Sequence, residues 1–242
     1  MGKVLFFTDD NFAGNPRHTK EFLEEMIAQG LGDMGKSVQV QITAKAYKKP
    51  ELLELLRKAG VDTLYVGFES VNDASLEEAN KASNANENRE AVKTFRNYGF
   101  WIHGMLTPGF DSDTPEVLDD MLEWAKKSLD SVQFFPISPL VGTKFHQKME
   151  SEGRILTRDY SLYDGQHVLI RPKNFSPYDL QKRIYNMYHE FYSFSESVRR
   201  VGRSQKIKPA LLIMAYTLFG GIGRILNEKQ NMQHLEFLKS VS

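Results

Sequence analysis

Polar residues able to do chemistry gather where apolar runs end. Asp9-Asp10-Asn11-Phe12 follows the apolar residues 4–8. Two carboxylates and an amide suit capture of a ligand's ammonium or hydroxyl group, and equally an Asx-type turn leaving a strand. Gly67-Phe68-Glu69-Ser70 ends a later run. A glutamate at the end of a buried strand costs free energy unless partnered. That partner is either a ligand's hydroxyl or amine, or a nearby cation such as Lys45. Gly104-Met105-Leu106-Thr107-Pro108-Gly109 ends another run. A glycine inside a strand marks close approach of a ligand or of another backbone, or else serves a tight turn toward Asp113. Phe135-Pro136 opens a rigid loop running to Gly142-Thr143, in which Phe135 can pack on a flat ring.

Other constellations carry less. The histidines (His18, His103, His146, His167, His189, His234) have no metal-ligand spacing. Gly221-Ile222-Gly223 follows no strand, so it reads as helix packing rather than a dinucleotide loop.

The elements that position these clusters alternate. Strands are expected over residues 4–8, 38–43, 63–68, 100–106 and 131–136. Helical segments follow at 17–34, 50–59, near Leu76 and at 87–97, and from Asp113-Thr114-Pro115-Glu116 onward. Asp113 is expected as the N-cap of that last helix, with an early proline and a first-turn acid. The strands read as nearly continuously apolar, the pattern of parallel strands covered on both faces. Alternation implies right-handed crossovers, with ligands at the carboxyl ends of the strands. Residues 1–143 form this α/β unit. Residues 144–242 form a mainly helical C-terminal extension, with a long helix from Ser176-Pro177 to about Arg200.

The chain has 242 residues with 31 Lys+Arg and 31 Asp+Glu, a balance that argues against a general nucleic-acid binder. Its first apolar run is too short for a signal peptide, so a cytoplasmic location is expected. Residues 209–226 are strongly apolar but interrupted, too short to span a bilayer; docking on the domain is favoured over an interfacial membrane helix beside the basic residues 199–208. There is no cysteine, hence no disulfide and no thiolate metal site.

In order, Asp9-Asp10-Asn11-Phe12, Val66-Gly67-Phe68-Glu69-Ser70, the Gly104–Gly109 turn with Asp113-Thr114-Pro115-Glu116, and Ser138-Pro139-Leu140-Val141-Gly142-Thr143 resemble motifs of the radical S-adenosylmethionine (radical SAM) enzymes. The likeness is to the subgroup carrying an N-terminal cobalamin-binding domain, and it covers roughly residues 3–195. It implies a partial TIM-like (β/α)6 barrel, strands two to six, all parallel, with a C-terminal helical extension. It implies that Asp10 and Asn11 meet the amino group of S-adenosylmethionine. Glu69 and Ser70 would contact its ribose and methionine parts, and Gly104, Met105, Leu106, Phe135 and Pro136 its adenine. Lys45 would face the same cavity.

The departure is as informative. The family holds a [4Fe–4S] cluster on a three-cysteine loop after its first strand, and thiolates are what hold such a cluster. This chain has no cysteine. The resemblance therefore implies a C-terminal fragment, inactive alone, whose upstream DNA encodes the loop in frame. Two rival readings stand beside it. One is a non-catalytic barrel that binds a partner chain at an open strand edge. The other is a lyase or aldolase using Glu69 and Lys45.

Overall fold

A computed structural model of the chain describes residues 4–33, 37–81, 83–203 and 228–242. Among the described residues its framework is one sheet of five parallel strands in the order β1-β2-β3-β4-β5. The strands are β1 Val4–Phe6, β2 Ser37–Thr43, β3 Val61–Glu69, β4 Trp101–Leu106 and β5 Ser131–Phe134. Helices α1 Pro16–Ala28, α2 Pro50–Lys58, α3 Asp73–Glu78 with α4 Ala85–Asn97, and α5 Pro115–Ser128 make the crossovers. The alternation of strands and helices is observed, and it builds the partial parallel barrel that the resemblance implies.

The strands are not apolar on both faces. In β2, Val38, Val40 and Ile42 are buried while Gln39 and Gln41 are half-buried. This period of two separates a helix-covered face from a polar face. The covered face continues through Leu64, Val66, Phe68, Ile102, Leu106, Val132 and Phe134. It packs on Leu23 and Met26 of α1, Leu53 and Leu56 of α2, Phe95 of α4 and Met121 of α5. Burying a large apolar side chain contributes about 1.5–3 kcal/mol. The polar face carries Gln39, Gln41, Tyr65, His103 and Gln133 and forms the concave lumen wall.

Gly104 belongs to the covered face. A β-carbon there would lie 2.3 Å from Leu129 Cδ1, so the glycine admits Leu129 from the end of α5. The close approach expected from the sequence is that of a core side chain.

Asp113 is not a helix cap. Thr114 is, accepting from the Val117 N–H at 3.4 Å. Asp113 is fully buried and accepts from the Gly109 N–H (2.8 Å), the Phe110 N–H (3.0 Å) and the Ser75 hydroxyl (2.6 Å). It thereby fixes the turn after β4, where Gly109 takes φ +110. Burial pushes its carboxyl above the ordinary range.

Beyond β5 come α6 Lys144–Ser151, α7 Pro177–Phe191, α8 Phe194–Arg203 and a C-terminal helix, Glu228–Val241. The single helix expected from Ser176 to about Arg200 breaks at Tyr192-Ser193. Ser193 and Glu196 have the spacing of a capping box, and Ser193 Oγ accepts from the Glu196 N–H at 3.4 Å. Ser176 does cap α7, accepting from the Asp179 N–H at 3.0 Å.

The hydroxyls of Tyr188 and Tyr192 close the outer edge of β5. Phe134 N–H donates to Tyr188 at 2.8 Å and Val132 N–H to Tyr192 at 2.9 Å. The same hydroxyls donate to the Phe134 carbonyl at 3.3 Å and the Val132 carbonyl at 2.9 Å. No described helix is long and apolar enough to cross a membrane. The apolar residues 209–226 lie outside the described residues.

Candidate functional site at the carboxyl ends of the strands

The carboxyl ends of β1 to β5 bring most of the singled-out residues to one rim, in unequal roles. Asp10 and Asn11 lie exposed in the turn between β1 and α1. Phe12 N–H donates to the Gln41 carbonyl at 2.8 Å, and Gln41 Nε2 donates to the Asp10 carbonyl at 3.1 Å. Phe12 then packs with Phe7 and Phe22. The backbone of this turn is fixed while its carboxylates remain free to face solvent or ligand.

Glu69 is the centre of the rim. Its carboxylate accepts from the Thr107 hydroxyl at 2.6 Å and pairs with Lys81 Nζ at 2.8 Å. It folds back over Gly67: a β-carbon there would lie 2.7 Å from Glu69 Oε1 and 3.4 Å from Lys81 Nζ. Gly67 is therefore the space in which carboxylate and ammonium meet. The pair is only partly buried, with 20% and 32% of the two side chains exposed. Its net contribution to stability is small, and its polar atoms remain within reach of a ligand.

Lys45 does not take this place. It is exposed on the short turn of 3-10 helix Ala44–Lys48, on the side of Glu87, which is itself ion-paired to Lys48. Lys81 has no strand-end motif around it and went unmarked in the sequence; only the fold carries it from α3's far end to Glu69.

Ser70 is fully buried, and its Oγ accepts from the Asn72 N–H at 3.2 Å, so its hydroxyl serves the loop. Met105 points to the lumen side, paired in register with Gly67 and Gln133. Leu106 is buried on the helix side, like Gly104. Phe135 is half-buried, with Gly165 of the following irregular segment lying against its ring, and Pro136 is buried behind it.

Deeper in the lumen is a cluster with no signal in the sequence. The rings of Tyr65 and His103 lie 4.3 Å apart, tilted by 33°. Phe6 meets Tyr65 edge-on at 5.1 Å. His103 Nε2 lies 3.1 Å from Gln133 Oε1 and Nδ1 lies 2.7 Å from Ser131 Oγ. These partners set the neutral tautomer, with Nε2 donating. Burial pushes its pKa down to about 4. With both nitrogens engaged, His103 is held in place as part of the lumen wall.

The donor set does not fit an iron–sulfur cluster. The sequence has no cysteine, and among the described residues no group of three or more His, Cys, Asp or Glu could hold a metal ion.

The sequence is 28% identical over 202 residues to a bacteriochlorophyllide d C-12(1)-methyltransferase of Chlorobaculum tepidum, covering 82% of this chain and 43% of that protein. It is 29% identical over 193 residues to an anaerobic magnesium-protoporphyrin IX monomethyl ester cyclase of Cereibacter sphaeroides, covering 78% of this chain and 31% of that protein. The chain thus spans less than half the length of these relatives. Among solved structures, the radical S-adenosylmethionine methyltransferase TsrM of Kitasatospora setae, with cobalamin and a [4Fe–4S] cluster bound, superposes with a TM-score of 0.51. Identity is 18%, over 62% of this chain and 28% of that one. The cobalamin-dependent S-adenosylmethionine radical enzyme OxsB gives 0.52 at 12% identity over 90% of this chain and 38% of that one. Both share the fold. The description of the Radical SAM superfamily matches residues 1–125, just over half of the chain, and the chain belongs to that superfamily.

Proposed function

We propose that the rim of this half-barrel binds S-adenosylmethionine, as part of a radical or methyl-transfer enzyme whose cluster thiolates residues 1–242 do not supply. The observation that carries this reading is the Glu69–Lys81–Thr107 cluster at the ends of β3 and β4 in a radical SAM barrel. Asp10 and Asn11 would hold the amino group. Glu69 would accept from the ribose hydroxyls, and Lys81 would face the carboxylate. The backbone of Gly104 to Leu106, the side chain of Met105 and the ring of Phe135, backed by Pro136, would line the adenine. Ser70 contributes by shaping the loop. Cobalamin, bound in the two solved neighbours, would enter through a domain beyond these residues. No bond-breaking step follows from these residues alone; they bind, orient and exclude water while cofactors carry the chemistry.

Titration calorimetry of the chain with S-adenosylmethionine tests the reading. Glu69→Ala and Lys81→Met should each weaken binding about tenfold, the value of one charged hydrogen bond. Absence of binding to the unaltered chain, or indifference to both substitutions, would refute it. Anaerobic iron–sulfur reconstitution should give no cluster absorbance.

A second reading, a non-catalytic barrel that binds a partner chain, is favoured by one observation. Strand β1 leaves Val4 61%, Leu5 40% and Phe6 42% exposed at the sheet edge.

A further inference from the structure

The end of β3 holds an unusual backbone geometry. Glu69 has φ +60, in the left-handed region that non-glycine residues avoid. The Ser70 N–H donates to the Phe68 carbonyl at 2.8 Å, closing a three-residue turn centred on Glu69. A γ-turn with positive central φ is the rare, strained hand. The β3–β4 register shifts at the same place, between Gly67 and Glu69. Strain of this kind persists only where surrounding structure over-determines it.

One side chain holds both carbonyls that flank it. Asn88 lies in the first turns of α4 and is 1% exposed. Its Nδ2 donates at 3.1 Å to the Phe68 carbonyl and at 3.1 Å to the Ser70 carbonyl, the two that flank Glu69. From the other side, the Thr107 N–H donates to the Glu69 carbonyl at 2.7 Å. The Asn88 Oδ1 is buried with no hydrogen-bond partner among the described residues. Leaving such an acceptor unsatisfied is costly. An apolar residue would pack there without that penalty, so the amide nitrogen is what the position requires.

We propose that Asn88 is a positioning residue: its amide clamps the strained turn that folds the Glu69 carboxylate back over Gly67 toward its ligand. The inference rests on the proposed S-adenosylmethionine site. Released from the clamp, Glu69 relaxes to extended backbone, and its carboxylate leaves Lys81 and Thr107. Glycine at position 69 takes the same φ without strain, so the clamp has nothing to hold in a Glu69→Gly chain.

The test is a double-mutant cycle on the full chain, read by S-adenosylmethionine affinity and by melting temperature. Asn88→Ala should weaken S-adenosylmethionine binding about tenfold when Glu69 is present, and cause no further loss in a Glu69→Gly background. Equal loss in both backgrounds, or none in either, overturns the proposal, because a merely structural asparagine would not act through Glu69. Asn88→Ser keeps one donor and should fall between; it carries the same cycle if the alanine chain does not fold. Should the unaltered chain bind no S-adenosylmethionine, the functional reading fails while the clamp is still decided by melting. Asn88→Ala should then lower the melting temperature by about 2–4 °C more with Glu69 than with glycine at 69, and equal lowering refutes the clamp.

Discussion

The two edges of the sheet solve the same problem in opposite ways. At β5 the backbone groups of Val132 and Phe134, with no neighbouring strand among the described residues, meet the hydroxyls of Tyr192 and Tyr188. A phenol both donates and accepts, so each tyrosine replaces one residue of a missing strand. At β1 no such cover is present among the described residues. In a parallel pair, alternate residues turn their backbone groups to one side. The Phe7 N–H faces β2, bonding the Gln39 carbonyl at 3.0 Å, so Val4 and Phe6 turn theirs outward. The β5 edge is finished by side chains, while the β1 edge can still accept a strand.

The largest effect should come from unsealing the finished edge. Tyr188→Phe combined with Tyr192→Phe keeps the rings and removes both hydroxyls. The four backbone groups they serve would be left short of partners. Unfolding free energy from urea titration should drop by about 2–4 kcal/mol. A loss below about 0.5 kcal/mol would mean that water closes this edge equally well.

Acid should loosen the same side next. His103 ties β4 to Ser131 and Gln133 of β5, and His234 of the C-terminal helix stacks edge-on to His167 at 4.4 Å. Burial pushes both His103 and His234 down to about 4, with the neighbouring His167 adding to the effect at His234. The folded chain therefore refuses protons that the unfolded chain takes up near pH 6.5. Stability is level above that value and falls as pH drops from about 6.5 toward 4, by on the order of 2–3 kcal/mol for His103. Hydrogen exchange at pH 5 should show faster opening of β5 and the C-terminal helix than of β2. Uniform opening would dissolve the contrast between the two sides.

The smallest effect on stability belongs to the open edge. Val4→Lys should change unfolding free energy by less than about 0.5 kcal/mol, since the side chain is already 61% exposed. It should reduce self-association in light scattering, because a charge on an edge strand opposes pairing. Unchanged scattering would show that β1 is not an associating surface.

What the sequence made legible follows from range. The β–α alternation, the strand-end clusters and the Ser176 cap are local patterns, and each is found where expected. The placement of Lys81, Asn88 and His103 was not legible, because each is set by partners far along the chain. Asp113 misled for a related reason: Asp before Thr-Pro-Glu is a sound local cap signal, yet the residue is drawn inward to the Gly109 and Phe110 amides. The break after Tyr192 was legible in principle through the Ser193…Glu196 spacing, but the aromatic helical pattern ran across it.

The tyrosine pair also expresses a commensurability of lengths. Four residues of α-helix rise about 6 Å, and two residues of parallel strand advance about 6.6 Å. Tyr188 meets Phe134 and Tyr192 meets Val132, so α7 runs antiparallel to β5 with its four-residue step matched to the strand's two-residue step. The two periods drift by only about 0.6 Å per repeat, a vernier that stays aligned for one or two steps and then fails. A helix can therefore end a parallel sheet of three or four residues' edge length in this way, but not a long one. The short β5 Ser131–Phe134 is about as much edge as two hydroxyls on one helix can close.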